Sequence, residues 1–386
     1  MPSALKAAMA APAPLGPLRF DRIDDLATLQ AAKPEWDGLF ARIGDSRLGF
    51  QTHAWTTHWA RHYAAPGDLA ILTGRSNGRV AFVWPLRARR LAGATVLEAL
   101  GDPLSQYHAA LVDPELDAEG MIAEAIAALR DQGADLLDLR RVRADQPLAA
   151  ALQARGAAVR RIEQAPFVDL IGGKVACAGA DKGKEAASRR RRLRRLEELG
   201  PIRFEVETCP KAAASRVAEA MAMKRRWALK TGRLARAAFD PRFERAFQAA
   251  LGARDPEASL RVTSLTCGGR TVGVDIALAC RGRLFGHVLT HDPDLASFGV
   301  GILLADASIR AAIAEGYQTF DLLAPADGYK RAWADGEVDV FDLQLPLSRR
   351  GQWLGQAWNG ANLGLRWLAP RAPLALRRAA LGHFRR

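Results

Sequence analysis

The chain has 386 residues, 49% hydrophobic and 25% charged, an ordinary globular mixture that excludes a disordered or fibrous polymer. Lys and Arg number 55 against 42 Asp and Glu, a net charge of +13 that suggests an anionic partner: nucleic acid, an anionic membrane surface or a phosphorylated small molecule. A genome that favours Arg and Ala gives the same arithmetic, and no stretch approaches the roughly 18 to 20 apolar residues of a membrane-spanning helix.

At about 150 residues per domain the length predicts two domains. The N-terminal MPSALKAAMAAPAPLGPL is broken by prolines and has no sustained apolar core, so residues 1–19 read as a disordered tail and the protein as cytoplasmic. Cys177, Cys209, Cys267 and Cys280 lack the short spacings of zinc or redox motifs, which fits a reducing compartment.

Residues 20–170 read as a mixed α/β unit. In FQTHAWTTHWARHY, Trp55, Trp59 and Tyr63 fall at i, i+4 and i+8 and predict one helical face. Strands follow at Leu69 to Thr73 and Arg79 to Leu86, joined through Ser76-Asn77-Gly78, a turn that supplies positive φ. Then come a strand at Tyr107 to Val112, a helix from Gly120 to Gln132 and a strand at Asp135 to Leu139.

The second unit, 183–347, opens with a helix at Lys184 to Leu199 that stops at Gly200-Pro201. A strand at Ile202 to Glu207 and helices at Lys211 to Leu229 and Pro241 to Leu251 come next. Three strands follow at Leu260 to Cys267, Thr271 to Cys280 and Arg283 to Thr290. A helix from Gly301 to Ala314, a strand at Gln318 to Leu323, a short helix at Tyr329 to Trp333 and a strand at Val338 to Leu345 complete an order β-α-α-β-β-β-α-β-α-β.

The halves repeat weakly. Gly120 opens a helix ending at Gly133 with Asp138 five residues on, and Gly301 opens one ending at Gly316 with Asp321 five residues on. Two copies of one α/β unit account for this better than two unrelated domains.

The segment from His287 to Leu323 carries the chemistry. Gly299-Val300-Gly301 stands where a strand runs into a helix, so backbone N–H groups without intrahelical partners point outward and suit a phosphate. Glycine permits close approach of the anion, and a tight strand-to-helix turn is the plainer use of the same residues.

The second-half order with this glycine turn resembles the GNAT acyltransferase fold, whose acyl-CoA pyrophosphate sits on a loop Gln/Arg-x-x-Gly-x-Gly/Ala. Here the loop is Ala296-Ser297-Phe298-Gly299-Val300-Gly301, with both glycines kept and Ala in the leading place. The wider chain, about Phe20 to Leu347, resembles the CelD-type (BcsL-like, BioF2-like) acetyltransferases. The likeness is carried by FQTHAWTTHW, WPLR, RRRRLRRLEELG, MKRRW and the run G-I-L-L…EG…FDLL…GYKRAW. This family is similar in turn to the Fem-type aminoacyltransferases, which pair two GNAT-like units and use aminoacyl-tRNA.

The resemblance implies tandem GNAT-like units with mixed central sheets, moving an acyl group from acetyl-CoA or another acyl-CoA to an amine or hydroxyl. The acceptor would be a small molecule, glycan or peptide, in cell-envelope or cellulose-type exopolysaccharide biosynthesis. Gly299, Val300, Gly301 and Leu289 would bind the CoA, with strand N–H groups near His287 to Thr290 facing the oxyanion. Tyr329 falls where such enzymes often keep the proton donor for the departing thiolate, or else it anchors against Trp333 at i+4.

Asp321 stands at a strand's end where a base works, or caps the following turn. Lys330 holds an anionic acceptor or is solvated, and His287 and His291 are substrate-binding or basic candidates beside a structural use. His58 and His62 have the i, i+4 spacing of a zinc pair, but Trp59 occupies the place of the HExxH glutamate, so no metal site is expected.

Two basic features remain. The six arginines from Arg189 to Arg195 circle a helix with Leu193 and Leu196 as its apolar stripe. They serve tRNA or lipid phosphates, or form a solvated face pairing with Glu197 and Glu198. Residues 348–386, with Trp353, Trp358, Trp367 and several arginines, read as a basic amphipathic tail able to touch an anionic membrane. An aminoacyl-tRNA transferase and a non-catalytic envelope-binding scaffold are the alternatives to the acyl-CoA enzyme.

Overall fold

A computed structural model describes residues 16–177, 184–232, 235–253, 255 and 257–368, the side chains of 185, 236 and 359–368 excepted. The tail expectations for 1–15 and 369–386 fall outside the described residues. The first half runs β1 (Arg19–Ile23), α1 (Leu26–Ala31), α2 (Lys33–Ile43), α3 (His53–Tyr63), β2 (Ile71–Ser76), β3 (Arg79–Trp84), β4 (Leu86–Leu91), β5 (Ala94–Ala99), β6 (Leu111–Val112), α4 (Ala118–Asp131), β7 (Leu136–Arg143), α5 (Pro147–Gln153) and β8 (Ala158–Asp169). After the short α6 (Lys174–Cys177) come α7 (Lys184–Glu197), β9 (Ile202–Val206), α8 (Pro210–Thr231), α9 (Arg236–Phe239), α10 (Pro241–Gly252), β10 (Ser259–Cys267), β11 (Arg270–Cys280), β12 (Arg283–His291), α11 (Val300–Ala314), β13 (Thr319–Asp321), α12 (Gly328–Trp333), β14 (Gly336–Pro346) and α13 (Arg349–Leu368). From β9 to β14 the order is the one expected, with α9 and its few residues added.

Local chemistry sets many of these boundaries. Asn77 and Gly78 turn β2 into β3 at φ of 50° and 78°, the positive pair a two-residue hairpin requires. Asp25, Thr52 and Asp117 cap α1, α3 and α4 by accepting the N–H of Thr28, Trp55 and Gly120. Trp55 and Trp59 are buried in the core as their spacing predicts, and Trp59 stacks on Tyr63.

Two sheets form, β1-β2-β3-β6 and a ten-stranded β4-β5-β7-β14-β8-β13-β12-β11-β10-β9. The second crosses both halves because they exchange strands. β14, from the second half, lies between β7 and β8 and runs antiparallel to both, while β8, from the first half, separates β14 from β13.

A gap opens where the second half's sheet diverges. β12 and β13 pair in parallel only over Arg283–Phe285 and Thr319–Asp321, although β12 runs on to His291. Its register against β11 slips so that Ile276 faces Val288 and Ala277 faces Gly286, leaving His287 as the bulged residue. α11 and α12 lie along one face of this region, and α8 and α10 cover the other.

Candidate functional site

The glycine turn is built as a cradle. Gly299 has φ of 70° and accepts the N–H groups of Ile302 and Leu303 on its carbonyl, so the first-turn N–H groups of Val300 and Gly301 face outward. A Cβ on Gly299 would overlap Arg192 of α7, lying 3.1 Å from its Cζ, and one on Gly301 would come within 3.0 Å of His291 Nδ1. Glycine at 299 is therefore required twice, by the positive φ and by the guanidinium packed on it.

Arg192 thus packs on the turn whose leading position is Ala296. Three arginines at i, i+3 and i+6 turn one face of α7 toward α11. Arg189 pairs with Asp306 at 3.3 Å and lies over the Trp333 ring at 5.1 Å; Arg195 lies over Phe298, also at 5.1 Å. The run's inward face therefore meets α11, its entry turn and α12. Leu196 is buried as the apolar stripe requires, whereas Leu193 is exposed.

A cavity of about 180 Å³ opens beside this face, lined by Ser188, Arg189, Arg192, Ile302, Tyr329 and Trp333. Tyr329 and Trp333 also line a smaller cavity of about 30 Å³ that reaches Gly286 and Leu289 on β12, Phe320 and Leu322 on β13, Lys330, and Asp275 on β11. The two make one path from the basic rim to the β12–β13 gap.

The ionisable groups along it are desolvated. Tyr329 is 42% exposed as a residue, yet desolvation pushes its phenol up to about 12. Lys330 Nζ donates to the carbonyl oxygens of Leu323 (2.9 Å) and Pro325 (3.0 Å), and burial lowers it to about 8. Asp275 is 1% exposed, and burial, partly offset by the Ser308 hydroxyl and the Arg261 charge, raises it to about 6.

Asp275 carries a signed prediction. Its folded pKa lies above the unfolded 3.8, so as pH falls from 6 toward 4 the folded state takes up the proton first and stability rises. Asp275→Asn is expected to stabilise the protein at pH 7.5 by about 2 kcal/mol and to remove that rise. Urea denaturation of both proteins at pH 7.5 and 5 reads it; an unchanged pH profile refutes it.

Of the expected site residues, Gly299, Val300, Gly301, Leu289, Tyr329 and Lys330 come together on this path. Asp321 and His287 do not. Asp321, 1% exposed, accepts from Tyr107 Oη (2.7 Å), Arg143 Nη1 (2.6 Å) and the Leu323 N–H (3.0 Å), so both carboxylate oxygens are engaged. That network joins the two halves and ties the carboxylate into an ion pair with Arg143. His287 faces the opposite side of the sheet, in a cleft with Lys224. His291 is half-buried against Gly301.

Sequence reasoning did not assign Arg192, Asp275 or Lys224 to a site. A lone carboxylate inside the apolar VGVDIALA was a visible signal for Asp275. Nothing local marked Arg192 out from its five neighbours, because its contact with Gly299 spans more than a hundred residues of chain.

Residues 184–331 match the family model described as "Acetyltransferase (GNAT) domain". FemX superposes with a TM-score of 0.56 at 11% identity, covering 88% of this chain and 100% of that one. The C-terminal DUF2156 domain of a protein named as a lysylphosphatidylglycerol synthetase, from Agrobacterium fabrum, gives 0.51 at 14%, covering 85% and 95%. A tandem GNAT protein from the clavulanic acid biosynthesis pathway gives 0.48 at 16%, covering 86% and 99%. No curated protein matches the chain. The first two superpositions reach across both halves and show a shared fold. Residues 184–331 thus form a GNAT acetyltransferase domain of the CelD/BcsL type, within a mixed α/β fold that the chain shares with FemX.

Proposed function

We propose that the protein is an acyltransferase that moves an acetyl or other acyl group from acyl-CoA to an amine or hydroxyl acceptor. The observation that carries this is the cradle itself: outward N–H groups at Val300 and Gly301, the Arg192 guanidinium on Gly299, and a continuous path to the β12–β13 gap. The CoA phosphates bind at the cradle, and the pantetheine arm follows Tyr329 and Trp333 inward. The thioester lies at the His287 bulge, where strand N–H groups toward Leu289 face the developing oxyanion.

The acceptor attacks the thioester carbonyl, the C–S bond breaks, and the sulfur takes a proton. Lys330, at about 8, is matched to a thiol's ordinary range of about 8.5, whereas Tyr329 at about 12 is not. Lys330 is then the proton donor and Tyr329 a hydrogen-bond donor to the sulfur. Asp321 is a positioning residue. A role in cell-envelope or exopolysaccharide biosynthesis, on the cytoplasmic side, follows from the CelD-type likeness.

None of the described helices is long and apolar enough to cross a membrane, and Trp353 on α13, 74% exposed, supports a peripheral contact with anionic lipid. The outward face of α7, with Arg191 and Arg194 exposed, favours one second reading, aminoacyl transfer from tRNA. Charge reversal at those two positions abolishes activity under the tRNA reading and barely alters it under the CoA reading.

Isothermal titration with acetyl-CoA and longer acyl-CoAs tests the proposal. Micromolar binding is expected, lost in Gly301→Glu, which sets a side chain and a negative charge among the outward N–H groups. A wild-type protein that binds no acyl-CoA refutes it and leaves tRNA or a non-catalytic scaffold.

A further inference from the structure

On the sheet face opposite the Arg192 cavity, the two halves leave a cleft of about 200 Å³. Asp102, Gln106 and Arg141 of the first half face it, with Lys224, Phe243 and His287 of the second. It reaches the same bulge of β12 that the acyl-CoA path reaches from the other side.

The cations here are not neutralised. Arg143, Arg216 and Arg261 meet carboxylates at 2.6 to 2.8 Å. Arg141 donates instead to neutral groups, Gln106 Oε1 at 2.7 Å and the Ser105 carbonyl at 3.4 Å. Lys224 is half-buried with its pKa lowered by desolvation, it lies over Trp227, and no carboxylate stands within ion-pair distance of it among the described residues. Two half-buried positive charges without a carboxylate partner among the described residues form an anion site. Asp102 shares the cleft without pairing to either.

His287 sits between them. Its Nε2 lies 2.5 Å from the Leu104 carbonyl oxygen, a contact only a donor nitrogen makes, so Nδ1 keeps its lone pair. Nδ1 is buried and has no partner. Burial first, then the charges of Arg141 and Lys224, lower the imidazole to about 4.

We infer that this cleft is the acceptor pocket and that it selects an amine that also bears a carboxylate or phosphate, the anion held by Lys224 and Arg141 and the amine directed at His287 Nδ1. The inference rests on the acyl-CoA reading and names its second substrate class. The amine enters as its free base: its nitrogen bonds to the acyl carbon, its proton passes to Nδ1, the C–S bond breaks and the sulfur is protonated by Lys330. A bound anion offsets both neighbouring cations, so the imidazole becomes a stronger base only when the acceptor is in place.

The test follows the His287 side-chain resonances of the full-length protein by nitrogen NMR, assigned with His287→Gln, during titration with phosphoethanolamine and with ethanolamine. Phosphoethanolamine is expected to shift them saturably and to raise the imidazole pKa, and ethanolamine to do neither. Lys224→Met should weaken the response about tenfold or more, with Lys224→Arg restoring it and acetyl-CoA affinity kept in both. Equal responses to the two amines, or none to phosphoethanolamine, overturn the inference. Calorimetry with acetyl-CoA on the same samples separates the two claims. Acetyl-CoA binding without an anion response removes the acceptor pocket alone. An anion response without acetyl-CoA binding removes the acyl-CoA reading and the acceptor role with it.

Discussion

Asp321→Ala is expected to destabilise the protein by about 3–5 kcal/mol, the cost of stripping one partner from a buried ion pair. Asp321 is 1% exposed and the Arg143 side chain 4%, so neither reaches water once the other is gone. Tyr107, also buried, loses its hydroxyl's acceptor at the same stroke. Arg143 keeps Asp145 at 2.9 Å and its place over the Tyr107 ring, which puts the expected loss toward the lower end of that range. Tyr107 and Arg143 belong to the first half and Asp321 to the second, so the damage falls on their junction. Urea denaturation should show a lower midpoint for both halves in one transition, and Asp321→Asn a smaller loss. Full stability with abolished activity would instead make Asp321 a base and refute the positioning role.

Arg192→Glu is expected to lower acetyl-CoA affinity about 30- to 100-fold. A charge-assisted hydrogen bond to phosphate contributes about 1.5–3 kcal/mol, a tenfold change takes about 1.4 kcal/mol, and reversing the sign adds repulsion to the loss. S-acetylpantetheine, which has no phosphate, supplies the contrast: its affinity should change less than about threefold, because the pantetheine path past Tyr329 and Trp333 is untouched. Equal losses for both ligands would mean that Arg192 only props α7 against the glycine turn. The phosphate contact would then be discarded.

The second half was legible because its punctuation is local. Gly268-Gly269 and Arg281-Gly282 turn the three long strands, all four residues at positive φ, and α10 begins at Pro241 as its sequence suggests. The β4–β5 hairpin was hidden behind Arg87, Arg89 and Arg90, of which Glu98 pairs with the first two across the hairpin. β8 could not be seen at all: Arg160, Arg161 and Glu163 look like a surface loop until β14 supplies its ladder from the far end of the chain. The same distinction runs through the site. Gly299 and Gly301 follow from the local turn and Tyr329 from the resemblance to GNAT enzymes, whereas the choice between base and cap for Asp321 depends on Tyr107 and Arg143, 214 and 178 positions away.

The strand exchange bears on how such a chain can vary and be divided. A fragment cut to residues 184–331 would retain β13 but lose both β8 and β14, exposing an open hydrogen-bonding edge next to the β12–β13 gap, the kind of edge that recruits other chains into aggregates. The smallest inheritable unit of this chemistry is therefore the interlocked pair. Either half released from the other would need a strand of its own to close its sheet, and substitutions in the first half remain coupled to the packing of the second.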